Sequence, residues 1–555
     1  MPSAYNSNDP LLPFQLPRSD PIFGPSSHLP QRTVHFGPSP TDSQTGASAG
    51  SVTSDKRKNK ESPQNRLAVA SLAGQGYSAP FQALTYHPGV WENREQSRRS
   101  SPQPGAASRD EGWPAFEAKA GPRDDPVTLE LVDMAQAETL FDFFFAKCHP
   151  FLPIVTSADA SPFNDIRRRC GFLFTTIIAI GSRFYLKHCA RHGVLPTIAP
   201  ATPAAIARLA YSHLAASLFR KQHQLADVQA TLLLAGWGLQ SGGGGPDPWL
   251  VTGHCARLAQ RLGLHRPGPL PTTPEQAEKQ LLQSRTWLAW YHFDGFLSLG
   301  FGRPQSQGFA GIDEQAFLQL GASSASGSEM RMDLYIASMV QLTKIGGDLI
   351  SWIQLLTDWQ ADISRAPLTQ DGQDYSVGAM LGELNKRLDE WTTRWTWNGS
   401  LSAIHLGTSG RLAKLQSEHI RLCLNSLALK PGLVKNDGSP ESALMASYIQ
   451  KATEAAINTV QAHADAVKED MYLSYSFDYI TIALGQAAVF LIRLHSTTCD
   501  IPVDRAVIAY YLRTAIELLE DTELSETKNS TYVGRICRDL SGVAGIAIPP
   551  RASEE

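Results

Sequence analysis

Residues 247–304 read DPWLVTGHCARLAQRLGLHRPGPLPTTPEQAEKQLLQSRTWLAWYHFDGFLSLGFGRP, and this stretch decides the fold class. Near its start, four apolar side chains recur at the spacing of one buried helix face: Val251, Cys255, Leu258 and Leu262. Gly263 follows directly, as expected of a glycine that ends a helix in the left-handed conformation. After such an ending Leu264 can fold back on the last helical turn, so the stretch predicts a first helix that closes at Gly263.

The same stretch predicts a second and longer helix after three prolines. Thr273 can cap this helix with its side chain, Pro274 suits the first helical position, and Gln276 completes a capping box. Large apolar residues then occur on nearly every side: Leu281, Leu282, Trp287, Leu288, Trp290, Tyr291, Phe293, Phe296 and Leu297. A helix that is apolar all round has to be covered, so we expect this one at the centre of the fold.

Helical patterns recur on both sides of this central pair, whereas no stretch alternates clearly enough for a strand. The further predicted helices cover 129–147, 170–185, 203–222, 225–240, 332–356, 416–429, 442–470, 477–494 and 503–519. One more helical stripe is formed by Leu381, Leu384, Leu388, Trp391 and Trp395. The sequence therefore predicts an all-α multi-helix bundle of antiparallel helix pairs.

The first 126 residues differ in composition from the rest of the chain. They hold 17 of the 36 prolines and no cysteine, in a stretch rich in Ser, Gln, Asn and Gly. Such a segment buries too little apolar surface to offset its conformational entropy. We expect a long disordered, Pro/Ser-rich N-terminal tail over 1–126 and one all-helical domain over 127–550.

Charge, cysteine content and hydropathy argue against several classes of protein. The net charge is -4, and the tail holds 13 basic and 12 acidic residues, so neither part has the positive excess that contacts with DNA phosphates need. The seven cysteines are scattered and odd in number, which favours free thiols over a disulfide framework. The longest apolar stretches, 172–180 and 479–494, are short or interrupted, so no membrane span is predicted.

The tail contains one basic cluster that is a candidate nuclear import signal. It consists of Lys56, Arg57, Lys58 and Lys60, flanked by serine and proline. Short runs of Lys and Arg of this kind direct nuclear import in many proteins. A solvated patch in a disordered tail is the alternative interpretation.

Two further features are candidate chemical sites. His188 and His192 share a helix face at a spacing that can bind zinc, but no third ligand is nearby and Lys187 and Arg191 would repel a cation. Asp294 lies in an otherwise apolar helix, where a carboxylate needs a partner. We expect no metal site and no catalytic residue.

For Asp294, a structural role is the preferred hypothesis, and a catalytic acid is the alternative. The expected partner is one of three arginines: Arg303, Arg285 or Arg257. Such a pair would tie the central helix to the Gly302–Pro304 turn.

Residues 249–304 resemble the fungal-specific transcription factor domain, the all-helical middle homology region of zinc binuclear cluster regulators. The matching signature comprises Trp249, Gly253, Arg257, Gly263, His265, Arg285, Trp287, Asp294, Gly302, Arg303 and Pro304. Two positions depart from the family pattern, because Cys255 replaces a frequent Ala and Leu288 replaces a second Trp. Both replacements keep the position apolar.

The resemblance implies a nuclear, non-enzymatic regulator of RNA polymerase II transcription in a fungus, whose helical domain responds to an effector or a partner. The family's DNA-binding zinc cluster needs six closely spaced cysteines. Here the two closest, Cys170 and Cys189, are nineteen residues apart, so no zinc cofactor is expected in these residues. DNA contact would then come from a partner protein, from a cysteine-cluster exon missing from this chain, or from another segment.

The implied partners are the transcription machinery or a DNA-binding protein, a second copy or a related chain in a dimer, and a small-molecule effector, with no membrane. A competing hypothesis is an all-α enzyme or small-molecule-binding protein that shares the scaffold. A deep pocket with convergent ionisable groups would favour that hypothesis. A filled core around Trp287 and Trp290 would favour the regulator.

Overall fold

The computed structural model describes residues 120–156, 161–239, 246–266, 268, 270–306, 313–322, 327–361, 377–397, 408–429, 438–469, 472–496, 504–521 and 530–548. Within these ranges the chain forms 15 α-helices and no β-strand. The prediction of an all-α fold is therefore confirmed. The predicted disordered tail, apart from its last seven residues, lies outside the described part of the chain.

The helices follow one another in a single series. They are α1 (Met134–Phe143), α2 (Pro162–Arg169), α3 (Gly171–His192), α4 (Thr202–Ser217), α5 (Leu225–Gly236), α6 (Pro248–Arg261), α7 (Pro274–Phe301), α8 (Glu314–Ala322), α9 (Gly327–Ala361), α10 (Val377–Thr392), α11 (Thr408–Asn425), α12 (Pro440–Lys468), α13 (Asp478–Ser496), α14 (Arg505–Asp521) and α15 (Ser530–Val543). Short π-helical segments continue α1 at Phe144–Cys148 and α10 at Thr393–Trp397.

Helices that are neighbours along the chain pack as pairs: α3 with α4, α5 with α6, α8 with α9, α11 with α12, α13 with α14, and α14 with α15. The long helix α7 contacts five others, namely α5, α6, α8, α9 and α13. These contacts cover it on several sides at once. The expectation of a covered central helix is confirmed.

The ends of α6 form largely as the sequence predicts. Asp247 caps the helix by accepting from the backbone N–H of Trp249, and Pro248 takes the first helical position. Gly263 has φ of 78°, and the N–H of Leu264 donates to the carbonyl of Ala259 at 3.0 Å. Because this ending needs a left-handed residue, a glycine is the natural choice there.

The start of α7 departs from the prediction in one bond. Thr273 caps the helix by accepting from the backbone N–H of Gln276 at 3.2 Å. The Gln276 side chain does not return this bond to Thr273, and instead accepts from the backbone N–H and hydroxyl of Thr272. The predicted capping box is therefore incomplete, because the Gln276 side chain bonds to Thr272 where Thr273 was predicted.

The folded part begins before the predicted boundary at Val127. Asp125 is only 4% exposed, and its carboxylate accepts from the Arg167 guanidinium at 2.9 Å. The first helix in turn starts later than the predicted Leu129, because Asp133 and Gln136 form a capping box that opens α1 at Met134. Boundaries inferred from composition alone miss both effects, since they depend on individual capping and ion-pairing bonds.

Three helices were not predicted: α2, α8 and α15. The first two are short, with eight and nine residues, so their apolar period covers barely two turns. By contrast, α9 runs without interruption through Gly346 and Gly347, although glycine is a poor helix former. The apolar stripe of α10 is buried as predicted.

Among the described residues, α13 alone has the length and composition that would suffice to cross a membrane, with a mean hydropathy of 1.3. In the fold, 83% of this apolar window is buried. The helix contacts α7, α11, α12, α14 and α15. Because a core helix passes the same test, the signal is weak evidence for a membrane span.

The crossing of α1 and α3 is close enough to require a glycine. A Cβ atom at Gly181 would collide with the backbone carbonyl oxygen of Leu140, which cannot move without shifting α1. At Gly253 in α6, by contrast, an added Cβ meets no atom within 4 Å. These two helical glycines therefore differ only in what surrounds them.

We expect Gly181→Ala to lower the free energy of unfolding by about 1–3 kcal/mol, because the methyl group forces the two helices apart. Gly253→Ala is the matched control and should raise it by up to about 1 kcal/mol, since alanine favours a helix. Urea unfolding followed by circular dichroism measures both. A Gly181→Ala chain as stable as the wild type would contradict the close crossing.

Candidate functional site

Two ends of the signature stretch, 56 residues apart in the chain, meet at one contact. The Arg303 guanidinium donates to the Asp247 carboxylate at 2.7 Å and lies 4.9 Å above the Trp249 ring. Asp247 also caps α6, so the same carboxylate serves both helices. We call Asp247, Trp249 and Arg303 the clasp, because they join the end of α7 to the start of α6.

The turn that aims Arg303 depends on Gly302. This residue has φ of 63°, and the N–H of Arg303 donates back to the Ser298 carbonyl at 2.9 Å. The Ser298 hydroxyl in turn donates to the Pro304 carbonyl at 3.3 Å. Since only glycine adopts this conformation without strain, Gly302 reverses the chain and directs Arg303 towards α6.

The prediction that an arginine is the partner of Asp294 is wrong. Its carboxylate accepts from the backbone N–H of Ser306 at 2.8 Å and from the Ser306 hydroxyl at 2.7 Å. The three candidate arginines contact other groups: Arg303 reaches Asp247, Arg285 reaches Asp333, and Arg257 is exposed beside Gln260. Asp294 still ties the central helix to the chain just beyond the turn, but through neutral donors.

Two neutral donors bind the Asp294 carboxylate, which is 2% exposed. A charged partner would add the cost of removing its own charge from water at this buried position. Burial raises the pKa of the Asp294 carboxyl above its ordinary value of 3.8, and the two Ser306 bonds oppose that rise. The group is therefore held by hydrogen bonds at a site that disfavours its charge.

Arg285 forms a buried ion pair that joins α7 to α9. Its guanidinium contacts both carboxylate oxygens of Asp333, at 2.5 and 2.9 Å, and the two side chains are 4% and 2% exposed. Asp333 was not singled out in the sequence. No local signal marks it, because its partner is 48 residues away.

Aromatic rings fill the space between α6 and α7. Trp287 stacks on Trp290 with ring centroids 4.5 Å apart, and the Trp290 indole N–H donates to the Thr252 carbonyl at 3.1 Å. The His265 ring lies 6.2 Å from that of Trp287 and covers it from the loop after α6. We call this set, together with the clasp, the Arg285–Asp333 pair and the Asp294–Ser306 contact, the hub.

Two signature residues lie outside the hub. Gly253 and Arg257 are on the outer side of α6, where Arg257 is exposed and an added Cβ at Gly253 would meet nothing. The fold of the described residues therefore gives no steric reason for either residue. The other nine signature positions all belong to hub contacts or to the turns that end α6 and α7.

Residues 141–313 match the family model of the fungal specific transcription factor domain. The chain carries a fungal specific transcription factor domain. The match includes all eleven signature residues, together with α2 to α7. The match supports a relationship between these residues and fungal transcription regulators.

A search among curated proteins adds one relative. The chain is 24% identical over 421 residues to protein priB of Lentinula edodes. The alignment covers 73% of this chain and 63% of priB, so the chain spans less than two thirds of that relative's length. It extends well beyond the matched domain.

The helices of residues 141–313 pack on C-terminal helices. These C-terminal helices contain a buried polar cluster that was not predicted from the sequence. His419 contacts the Gln486 side-chain oxygen at 2.5 Å and the Tyr479 hydroxyl at 2.6 Å, with Cys423 beside both His419 and Gln486. Burial lowers the pKa of His419 to about 4, so the ring is neutral at pH 7. The cluster joins α11 to α13 and is closed to solvent.

His188 contacts the Tyr475 hydroxyl through Nδ1 at 2.6 Å, and its ring lies 4.3 Å from His192. Among the described residues, no group of three or more His, Cys, Asp or Glu side chains is placed to hold a metal ion. For the chain as a whole, the absence of a metal site stays a prediction. Lys56, Arg57, Lys58 and Lys60 lie outside the described residues.

The Arg285–Asp333 pair yields a prediction about stability. Asp333→Ala should lower the free energy of unfolding by about 3–5 kcal/mol, because it leaves the arginine buried without its counter-ion. The double variant Arg285→Met/Asp333→Leu should recover most of this loss. Glu390→Ala is the control, because its pair with Lys386 is exposed and should contribute less than about 1 kcal/mol. A single variant with unchanged stability would contradict the pair's role.

Asp294 yields a prediction about pH. Because its folded pKa lies above 3.8, its contribution to stability is fully present below that pH and is lost as pH rises through the folded pKa. The wild type should therefore lose stability relative to Asp294→Asn as pH rises from 3.8 towards neutrality. Denaturant unfolding of both chains across this range measures the difference.

A control of opposite sign exists for this measurement. A hydrogen bond from Lys468 lowers the pKa of exposed Asp465, so the wild type should gain stability relative to Asp465→Asn as pH rises. Solvent screening will make this gain small. If the Asp294 pair of chains shows the same sign as the Asp465 pair, burial does not dominate at Asp294.

Proposed function

We propose that this chain is a nuclear regulator of RNA polymerase II transcription in a fungus, with its helical domain as the effector- or partner-responsive module. The observation that carries this proposal is that the matched residues 141–313 contain all of the filled hub except Asp333. Trp287 and Trp290 are 6% and 0% exposed, and the signature residues around them hold helices together. A tightly packed hub can transmit a conformational change from one helix to its neighbours, as a regulatory module requires.

Ionisable groups in the hub, and His292 next to it in α7, support the same proposal. Arg285 is paired with Asp333, Asp294 accepts two bonds from Ser306, and His292 contacts the Thr343 hydroxyl at 3.1 Å. Burial lowers the pKa of His292 to about 3, which keeps its ring neutral. These groups are occupied by structural partners, which favours the regulator over an enzyme built on the same scaffold.

Contact with DNA needs a source other than a cysteine cluster within these 555 residues. All six cysteines in the described part are buried, and none is close in sequence to another. We propose that DNA is reached through a partner protein or through a cysteine-cluster segment encoded by a further exon. Partners of the domain would then be the transcription machinery, a DNA-binding chain, or a second copy in a dimer.

A reporter assay tests the regulatory role. The full chain is fused to a heterologous DNA-binding domain that enters the nucleus on its own, and transcription is measured from a promoter carrying its sites. We expect output reproducibly above or below that of the DNA-binding domain alone. Asp333→Ala should abolish the difference by unfolding the hub, and Arg285→Met/Asp333→Leu should restore it. Unchanged output from a well-expressed, folded fusion would count against the proposal.

The nuclear part of the proposal is tested in the same cells without the fused domain. A fluorescent tag on the chain should give nuclear signal, and replacing Lys56, Arg57, Lys58 and Lys60 together by Ala should shift that signal to the cytoplasm. The matched control replaces Lys386, Arg168, Lys468 and Arg411, which are basic residues of the folded part. Equal loss from both variants would argue against an import signal in the tail.

A further inference from the structure

A surface groove of about 580 Å³ lies between α10 and α12. Its α10 wall extends from Gly382 through the π-helical turn at Thr393, and its α12 wall is formed by Tyr448 and Lys451. The volume falls within the usual range for sites that bind small molecules. The groove is distant in sequence from the signature stretch and was not predicted.

Hydrogen bonds to other parts of the protein hold the side chains at the base of the groove. Asn385 is 3% exposed and exchanges side-chain hydrogen bonds with Asn425 at 2.8 and 3.0 Å. Tyr448 is 5% exposed, and its hydroxyl contacts the Gly378 carbonyl at 3.4 Å. Because these side chains are already held by protein contacts, a ligand would meet a preformed surface and lose little energy to reorganisation.

The acidic residues of the groove are already paired. The Asp389 carboxylate lies 2.8 Å from the Arg421 guanidinium, and Glu390 lies 3.9 Å from the Lys386 ammonium. Each pair brings one positive and one negative charge to the same place. Their contributions to the electric field of the groove therefore largely cancel.

Of the three cations that line the groove, Arg394 and Lys451 have no carboxylate partner among the described residues. Arg394 lies 5.3 Å from the Trp395 ring centre, and Lys451 lies 5.9 Å from that of Tyr448. They come from the two opposite walls, so both can face one ligand. Arg394 also lies in the π-helical segment Thr393–Trp397, a rare conformation that is frequent at functional sites.

We propose that this groove binds a compact organic polyanion, whose carboxylate or phosphate groups bridge Arg394 and Lys451. The guanidinium offers a fork of donors that matches either group, and the lysine adds a mobile point charge. A compact ligand fits because the α12 wall spans a single helical turn, between Tyr448 and Lys451. Within the proposed function this site would receive an effector, although the binding itself does not depend on a role in transcription.

Titration calorimetry on the full chain tests the proposal with two probes, citrate for carboxylates and fructose 1,6-bisphosphate for phosphates. We expect at least one to bind, with an affinity that falls as sodium chloride is added, since the site is open to solvent. Arg394→Gln/Lys451→Gln should weaken this binding about tenfold or more, because both charge-assisted contacts are lost. Glu390→Gln should strengthen it by releasing Lys386.

The matched control is Arg168→Gln/Lys468→Gln. It removes one arginine and one lysine that are 75% and 73% exposed and paired with Asp165 and Asp465 outside the groove. Its affinity should equal that of the wild type, and circular dichroism should show that every variant is folded. Binding by neither probe up to about 10 mM, or equal losses in both double variants, would overturn the proposal. A fusion that regulates the reporter without binding either probe would overturn this site and leave the proposed function standing.

Discussion

Helix α7 constrains the whole domain, because from Leu281 onward its apolar residues leave it no side that can face water without cost. Five helices contact it, and at several of these contacts a polar bond or an aromatic ring adds to the apolar burial. The clasp fixes α6, and the Arg285–Asp333 pair fixes α9. At Gly295 the approach of α9 is so close that a Cβ atom would collide with the Thr343 methyl group. The hub is therefore a consequence of where one helix has to lie.

This constraint explains why most of the signature residues end helices or join them. Gly263 and Gly302 end α6 and α7 in left-handed turns, and Arg303 joins the two helices. These residues build the scaffold and provide no reacting group, so a family match through them identifies the domain and its fold. In the proposed function, the ligand or partner of a particular chain would have to be recognised by other residues. In this chain the outer surface, including α10 and α12, is the place to look for that information.

The sequence predicts the parts of this fold that depend on local spacing. The stripe from Leu381 to Trp395, the glycine that ends α6 and the cap at Thr273 follow from residues within a few turns of one another. Contacts across long separations were predicted poorly. Asp294 was expected beside an arginine and lies against Ser306, and the partner of Arg285 is 48 residues away. Periodicity locates a buried carboxylate, but only the packing of helices decides which donor reaches it.

The groove and the hub are physically connected. The Trp391 indole donates to the Ser338 carbonyl of α9, and the Trp395 indole donates to the Gln341 side chain, each at 2.8 Å. Helix α9 is then tied to α7 through Asp333 and Arg285. A ligand can change the hub only if it binds more tightly to one arrangement of these bonds than to another. Because Trp395 follows Arg394 directly, a pull on that arginine would act first on the Trp395–Gln341 bond, and this bond is the point at which two such arrangements would have to differ.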